Sequence, residues 1–366
     1  MPLSSPPTAS ELAAHWIRPN IRKLKAYPVA DATGLIKLDA MENPYTWPES
    51  LRQEWAQLLQ TLPINRYPDP QAHALKIKLR EQFNLLNITD LEILLGNGSD
   101  ELIQIIVLSL ANPGEVVLSV TPSFVMYRMI ATWHDLNYIG IPLQTPDFVL
   151  DTTAMLAAIE QHQPAVIFLA YPNNPTGNLF DKASIEHIIT ATSGLVVIDE
   201  AYAPFTDASF LQQVIEYENV LVLRTLSKMG LAGIRLGYLI GHKAWINELN
   251  KARMPYNINA LTQKTAEFAL QHKQLFDTQA ANIIKERERL QQALSKITGI
   301  QNYPSEANFI LFQVNNAEQV FQGLKDQGIL IKILHGSDPL LNNCLRVTVG
   351  TPEENTAFLT SLATII

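Results

Sequence analysis

The chain has 366 residues, 47% of them hydrophobic, which is enough to build a large core in one or two domains. A net charge of −8 and the lack of any basic run argue against a nucleic-acid-binding surface. The single cysteine, Cys344, excludes an intramolecular disulfide and a cysteine-rich zinc site, and the eight histidines show no metal-ligand spacing, so no metal is expected.

The N-terminal part predicts helices and loops around one short strand. Residues 1–10 predict a flexible arm without the basic start and apolar core of a signal peptide. No later apolar run is long enough to span a membrane, so we expect a soluble, cytoplasmic protein. A strand is predicted at 36–40 and helices at 49–59 and 71–83, with a proline-stiffened loop at 65–70 between the two helices.

From residue 91 onward, short and almost wholly apolar runs of strand length alternate with helical patterns. These runs lie at 91–95, 115–120, 165–170, 194–198, 220–223 and 237–240. Helices are predicted at 100–110 and 181–192. Strands that are buried on both faces and separated by helices indicate an α/β fold with a mostly parallel sheet. Ligands of such sheets bind at the carboxyl ends of the strands, so the polar residues that follow each run are the candidates for function.

The last hundred or so residues predict a long helical connector followed by a smaller α+β unit. The connector is predicted beyond residue 261, and its part at 279–294 is rich in charge. The strands are predicted at 308–314, 329–334 and 344–349, and the helices at 317–327 and 352–365. We therefore predict an N-terminal arm and part of the small domain at 1–45, a large domain at 46–264, and a small C-terminal α+β domain at 265–366.

The loop between the runs at 220–223 and 237–240 contains Thr225, Ser227, Lys228 and Arg235. Taken alone, Lys228 is most simply explained as a solvated loop residue. In a desolvated site, however, its pKa would fall, and the neutral amine could form a Schiff base with an aldehyde. The two hydroxyls and the guanidinium would then hold an anion carried by that aldehyde.

Other polar and aromatic residues follow the neighbouring runs. Phe124 comes after 115–120, Asn174 after 165–170, and Asp199 and Tyr202 after 194–198. Each of them alone could be a turn residue or a helix cap.

A glycine turn between the strand at 91–95 and the following helix contains Gly98, Ser99 and Asp100. This order of strand, glycine turn and helix N-terminus presents free backbone N–H groups to an anion, although such a turn often has no ligand.

One ligand, pyridoxal 5′-phosphate, uses all of these groups. Lys228 would bind its aldehyde, and Asp199 would keep its ring nitrogen protonated, so that the ring accepts electrons. Asn174 and Tyr202 can donate hydrogen bonds to the ring oxygen, and Phe124 could stack on the ring. The residues assigned to the phosphate are Gly98, Ser99, Asp100, Thr225, Ser227 and Arg235.

The motif order Asn-Pro-x-Gly at 174–177, Asp-x-x-Tyr at 199–202 and Thr-x-x-Lys at 225–228, with a later arginine, resembles that of the fold-type I aminotransferases. The sequence is most similar to the histidinol-phosphate aminotransferase family, and the resemblance covers nearly the whole chain. The segments that carry it are 20–22, 38–45, 65–69, 96–101, 307–309 and 344–350. In one departure, Arg235 stands seven residues after Lys228, whereas many members of the wider superfamily have one residue more between them.

The resemblance implies that histidinol phosphate and 2-oxoglutarate are converted to imidazole acetol phosphate and glutamate in histidine biosynthesis. One site must then accept a phosphomonoester and a dicarboxylate in turn, and a guanidinium pairs with either. Arg346 is the choice for this role, although an arginine on the outer face of a strand is the alternative. Lys332 is similar in place to a family ligand of the substrate phosphate, often an arginine. Tyr27, Asn43 and Asn174 are assigned to the substrate side.

The family also implies a homodimer with shared active sites. Tyr67 matches the residue that reaches the cofactor phosphate of the neighbouring subunit, or else it packs on its own chain.

Three alternatives remain at this point. The chain could be an aminotransferase for aromatic or branched amino acids, or a lyase similar to threonine-phosphate decarboxylase. It could also be a non-catalytic phosphate-binding α/β protein, which would lack the visible absorbance of the cofactor.

Overall fold

The computed structural model describes residues 7–26, 28–110 and 112–366, and these form an α/β fold with three β-sheets. The strands are β1 (Ile36–Lys37), β2 (Leu91–Asn97), β3 (Val116–Thr121), β4 (Asn137–Pro142), β5 (Val166–Ala170), β6 (Leu195–Asp199), β7 (Val220–Thr225), β8 (Leu236–His242), β9 (Ile300–Asn302), β10 (Phe309–Val314), β11 (Ile329–Leu330), β12 (Lys332–Ile333) and β13 (Cys344–Thr348). The helices are α1 (Ala9–Trp16), α2 (Pro19–Arg22), α3 (Glu49–Gln60), α4 (His73–Gln82), α5 (Ser99–Leu110), α6 (Val125–Trp133), α7 (Thr152–His162), α8 (Lys182–Ala191), α9 (Gln213–Glu216), α10 (Lys243–Leu249), α11 (Ala260–Gln271), α12 (Lys273–Leu294), α13 (Ala317–Asp326) and α14 (Pro352–Ile365).

The largest sheet has seven strands in the order β2-β8-β7-β6-β5-β3-β4. The strands from β7 to β4 pair in parallel, and β8 is antiparallel to both of its neighbours. The predicted α/β fold with a mostly parallel sheet is therefore confirmed.

The central strands are apolar at nearly every position because helices cover both faces of this sheet. Successive side chains of a strand point to opposite faces. In β6, Val196 and Ile198 belong to a hydrophobic cluster that includes residues of α7 and α8. Leu195 and Val197 belong to another cluster, with residues of α5 and α6. A strand between two such layers must be hydrophobic at every position.

The C-terminal part forms an antiparallel sheet in the order β12-β13-β10-β9, which packs with α12, α13 and α14 around a separate hydrophobic cluster. The third sheet is the parallel pair of β1 and β11. Residues from near the start of the chain are thus hydrogen-bonded to the C-terminal part. The division at residues 45 and 264 stays a prediction.

Several elements differ from those that the sequence predicts. β4, β9, α6, α7 and α10 were not predicted, and the strand expected at 329–334 is divided into β11 and β12, which belong to different sheets. β4 lies at the edge of the large sheet and is only half-buried, so it lacks the apolar run by which the other strands were recognised. In the residues described, none of the helices combines the length and the apolar character needed to cross a membrane.

Candidate active site

A cavity of about 210 Å³ opens where β5, β6 and β7 end. The last residue of each strand, Ala170, Asp199 and Thr225, forms part of its wall. The structure brings together at this cavity most of the residues predicted to hold the cofactor. They are Ser99, Asp100, Phe124, Asn174, Asp199, Tyr202, Thr225, Ser227, Lys228 and Arg235.

Lys228 lies in a short helical turn directly after β7, and its amine points into the cavity. The Nζ atom donates to the carbonyl oxygen of Ala40 at 3.2 Å and lies 5.9 Å from the centroid of the Tyr202 ring. Burial lowers the pKa of Lys228 to about 8, and the positive charge of Arg346 acts in the same direction. A substantial fraction of this amine is therefore neutral near physiological pH.

Asp199 is buried at the end of β6, and both of its oxygens accept hydrogen bonds. Oδ2 accepts from the Tyr127 hydroxyl at 2.7 Å, and Oδ1 accepts from the backbone N–H of Ala201 at 3.1 Å. Burial raises the pKa of Asp199 to about 6, whereas the hydrogen bonds from Tyr127 and Ala201 act in the opposite direction. Tyr127 was not among the predicted residues, because no sequence motif marks it.

The wall on the side of the α5 N-terminus is suited to an anion. Arg235 Nη2 lies 3.2 Å from Asp100 Oδ2. The same nitrogen packs against Gly98, where an added Cβ atom would lie 2.7 Å from it. The φ of +82° at Gly98 favours glycine, and a side chain at this position would also displace the end of the Arg235 side chain. The Thr225 and Ser227 hydroxyls lie 2.9 Å apart and also line the cavity. The short spacing between Lys228 and Arg235 still brings the guanidinium to the cavity.

A second cavity, of about 350 Å³, adjoins the first and shares Met41, Phe124 and Asn174 with it. Lys332 and Arg346 line this cavity and face each other directly in the pairing of β12 with β13.

Arg346 is buried, and its Nη1 donates to Asn174 Oδ1 at 2.6 Å, whereas Nη2 donates to the carbonyl oxygen of Asp39 at 2.9 Å. Burial lowers the pKa of Lys332, as does the charge of Arg346. Arg128, Tyr138 and Asp338 also line this cavity and were not predicted.

Two of the predicted residues that the structure describes, Asn43 and Tyr67, do not reach these cavities. Asn43 lines neither of the two, and its amide nitrogen donates to the carbonyl oxygen of Met229 at 3.0 Å, beside the turn that carries Lys228. Tyr67 is 80% exposed and stacks on Tyr256, with ring centroids 4.4 Å apart. Tyr27 lies outside the residues that the structure describes.

A family model described as aminotransferase class I and II matches residues 33–362. The chain belongs to this aminotransferase family. Histidinol-phosphate aminotransferase 2 of Nitrosococcus oceani is 54% identical over 351 residues, which are 95% of this chain and 97% of that protein. The predicted family is therefore confirmed, and the protein is an enzyme.

Solved structures of aminotransferases share the fold. The histidinol-phosphate aminotransferase from Clostridium acetobutylicum gives a TM-score of 0.82 at 25% identity, over 90% of this chain and 99% of that one. The histidinol-phosphate aminotransferase from Sinorhizobium meliloti, in complex with pyridoxal 5′-phosphate, gives a TM-score of 0.84 at 22% identity, over 96% and 97% of the two chains.

Class I and II aminotransferases use pyridoxal 5′-phosphate, and the first cavity fits that group. It contains a primary amine with a lowered pKa and a buried carboxylate with a remaining acceptor position on each oxygen. Hydroxyls, a guanidinium and a glycine turn at a helix N-terminus form one wall. These donors and acceptors match the aldehyde, ring nitrogen and phosphate of the cofactor.

Proposed function

We propose that this aminotransferase transfers the amino group of L-histidinol phosphate to 2-oxoglutarate, giving imidazole acetol phosphate and L-glutamate, as a step of histidine biosynthesis. The observation that carries the proposal is the junction of two cavities at Phe124 and Asn174. One contains the Lys228 amine and the Asp199 carboxylate, and the other contains the cations Lys332 and Arg346.

In the first cavity, we assign the cofactor to the residues that line it and to Gly98. Lys228 Nζ attaches the cofactor at rest and afterwards moves the proton of the substrate carbon, for which a pKa of about 8 is suitable. When bound, the cofactor supplies an electron-accepting ring that stabilises the charge left by that proton. The Asp199 carboxylate holds a proton on the ring nitrogen, and Asn174 and Tyr202 donate to the ring oxygen.

The same proposal places Phe124 against the face of the ring. The cofactor phosphate is assigned to Gly98, Ser99, Asp100, Thr225, Ser227 and Arg235.

In the second cavity, Arg346 and Lys332 bind the end of the substrate that lies away from the amino group. A guanidinium pairs with a carboxylate or a phosphate through parallel hydrogen bonds, so Arg346 can serve both substrates in turn. Lys332 adds a point charge, which attracts a phosphate dianion more strongly than a carboxylate monoanion. Two cations directly opposite each other on paired strands create a positive potential, which an anionic ligand bound beside both of them would balance. Asn43 and Tyr27 remain candidates for the substrate side.

We also propose a homodimer in the cytoplasm, with Tyr67 contributing to the site of the other subunit. Tyr67, Tyr256, Ile64 and Met254 are large apolar or aromatic side chains that are exposed, three of them by more than two thirds of their surface. Exposed apolar groups of this size that lie near one another are typical of an interface between proteins.

The test starts from the Lys228 amine. The purified protein should be yellow, and borohydride reduction should fix the pyridoxyl group to one peptide, which contains Lys228. The Lys228→Ala variant should still bind the cofactor weakly through the phosphate wall and should not transaminate. Labelling of a peptide without Lys228 would contradict the assignment of the site.

The substrate is tested separately with a panel of amino donors. Histidinol phosphate should be the preferred donor. A preference for phenylalanine or a branched amino acid would instead indicate another aminotransferase. Release of CO₂ from threonine phosphate would indicate a lyase, and a protein without visible absorbance or labelling would be a non-catalytic phosphate binder.

A further inference from the structure

Tyr127 lies on α6, directly behind the wall of the first cavity, and has no role in the function proposed above. Its side chain is fully buried, and its hydroxyl donates to Asp199 Oδ2 at 2.7 Å. Its ring stacks on Phe168, with centroids 4.8 Å apart and planes inclined by 11°. It also meets the Phe124 ring edge-on, at 5.5 Å and 86°. One side chain thus contacts both the carboxylate and the aromatic ring of the proposed cofactor site.

We propose that Tyr127 is a positioning residue for the transamination, an inference that rests on the proposed function. Its hydroxyl holds the Asp199 carboxylate in its ionised form and in a fixed orientation, and its ring fixes the position of Phe124. Tyr127 touches neither the cofactor nor the substrate and acts through these two residues.

The hydrogen bonds of Asp199 explain why a donor is needed there. Tyr127 occupies one acceptor position of Oδ2, and the N–H of Ala201 occupies one of Oδ1. A carboxylate oxygen has about two such positions, so Asp199 keeps acceptor capacity for a ring nitrogen. A buried carboxylate tends to take up a proton, and hydrogen bonds to its ionised form oppose this. Without the Tyr127 hydroxyl, a larger fraction of the carboxyl group would be protonated near neutral pH, and a neutral carboxyl group stabilises a protonated ring nitrogen less than a carboxylate does.

Other charged and titratable groups also face Asp199. Asp100 on α5 and the adjacent Glu200 raise its pKa further by their negative charges. Tyr202 also lines the cavity, and so do the cations Lys228 and Arg235. Tyr127→Phe leaves every one of these groups in place, so a change in pH dependence in this variant reports the lost hydroxyl alone.

The experiment measures the dissociation constant of pyridoxal 5′-phosphate for the apoprotein by tryptophan fluorescence between pH 6 and pH 9. A hydrogen bond to a charged group is worth roughly one to two pKa units, so Tyr127→Phe should raise the pKa of Asp199 by about that much. The ratio of the dissociation constants of variant and wild type should be near 1 at about pH 9 and should rise to roughly 5- to 50-fold at about pH 6. Taking the ratio removes the ionisation of the cofactor itself.

Tyr303→Phe is the matched control. Tyr303 is also buried and meets Phe148 edge-on at 5.0 Å, but it lines neither cavity, so its ratio should stay near 1 at every pH. On an Asp199→Asn background, the ratio for Tyr127→Phe should no longer depend on pH.

A ratio for Tyr127→Phe that is constant across the pH range would overturn the proposal, because a purely structural role gives that result. A ratio that keeps its pH dependence on the Asp199→Asn background would also overturn it, because the dependence would then not come from Asp199. A wild-type protein that binds no cofactor would contradict the proposed function itself and would remove the basis of the inference as well.

Discussion

Replacing Lys332 with alanine should damage the reaction of histidinol phosphate more than that of glutamate. Lys332 lies directly opposite Arg346 on the neighbouring strand, and both line the second cavity. Burial and the charge of Arg346 lower the pKa of Lys332, whereas the charge of Asp39 acts in the opposite direction. An anion between the two cations relieves their repulsion, and a phosphate dianion relieves it more than a carboxylate does.

The size of the effect follows from the single contact that is lost. Removing one partner of a hydrogen bond to a charged group commonly costs about 1.5–3 kcal/mol. This corresponds to a fall in kcat/KM of roughly 10- to 150-fold for histidinol phosphate. Arg346 keeps its two hydrogen bonds to Asn174 and to the backbone of Asp39, so it stays in place to bind glutamate. The fall for glutamate should therefore be smaller.

The assay is single-turnover kinetics of each half-reaction, followed by the visible absorbance of the enzyme-bound cofactor. Lys332→Met removes the charge with less loss of packing and should behave like Lys332→Ala. Lys296→Ala, at an exposed lysine, is the control and should match the wild type in both half-reactions. Equal losses with the two substrates in the Lys332 variants would refute the reasoning and would point to a structural role.

Three further predictions concern the first cavity and the assembly. Asp199→Asn should bind the cofactor but lose roughly 10²–10³-fold in turnover, because a neutral amide stabilises a protonated ring nitrogen far less than a carboxylate does. Near-normal turnover in this variant would remove Asp199 from the mechanism. Since the pKa of Lys228 is lowered in the folded apoprotein, its burial costs stability below about pH 8, and this cost disappears as the pH rises towards 10.5. In urea unfolding at pH 7, the free energy of unfolding of apo Lys228→Met should therefore exceed that of the wild type by about 2–3 kcal/mol. This difference should stay constant below pH 8 and shrink above it. If Tyr67 completes the neighbouring site, sedimentation should find a dimer. Mixing inactive Tyr67→Ala with inactive Lys228→Ala should then restore up to about a quarter of the wild-type activity. A mixture without activity, or an active monomer, would contradict shared sites.

The sequence predicts the first cavity well, and the reason lies in the sheet. β5, β6 and β7 are apolar at nearly every position because both of their faces are covered, so their ends are visible as the first polar residues after each run. Parallel strands place those ends at one edge, which is why the sequence alone is enough to group Asn174, Asp199 and Lys228. The resemblance to the aminotransferases points to the same residues.

The sequence does not predict contacts that arise only from packing between distant elements. Tyr127 reaches Asp199 because α6 lies against the end of β6, and α6 itself was not recognised as a helix. The same holds for Arg128, which is on that helix and lines the second cavity. The resemblance assigns Asn43 to the substrate side, but its amide nitrogen donates to the Met229 carbonyl oxygen and to Gln279 Oε1. Hydrogen bonds to other partners can thus turn a side chain away from a site that is close to it in sequence.

Asn174 illustrates how the two cavities act together. Its Oδ1 accepts a hydrogen bond from Arg346, and a guanidinium only donates, so the oxygen of this amide must face the second cavity. The amide nitrogen is then left for the first cavity, where the proposed ring oxygen needs a donor. Arg346 therefore does two things in the proposed mechanism, since it anchors the far end of either substrate and also sets the orientation of a cofactor ligand. A substrate that draws the guanidinium towards itself would act on the Asn174 contact as well, so in the proposed mechanism the binding of the distal anion would affect the electronic state of the ring through one amide.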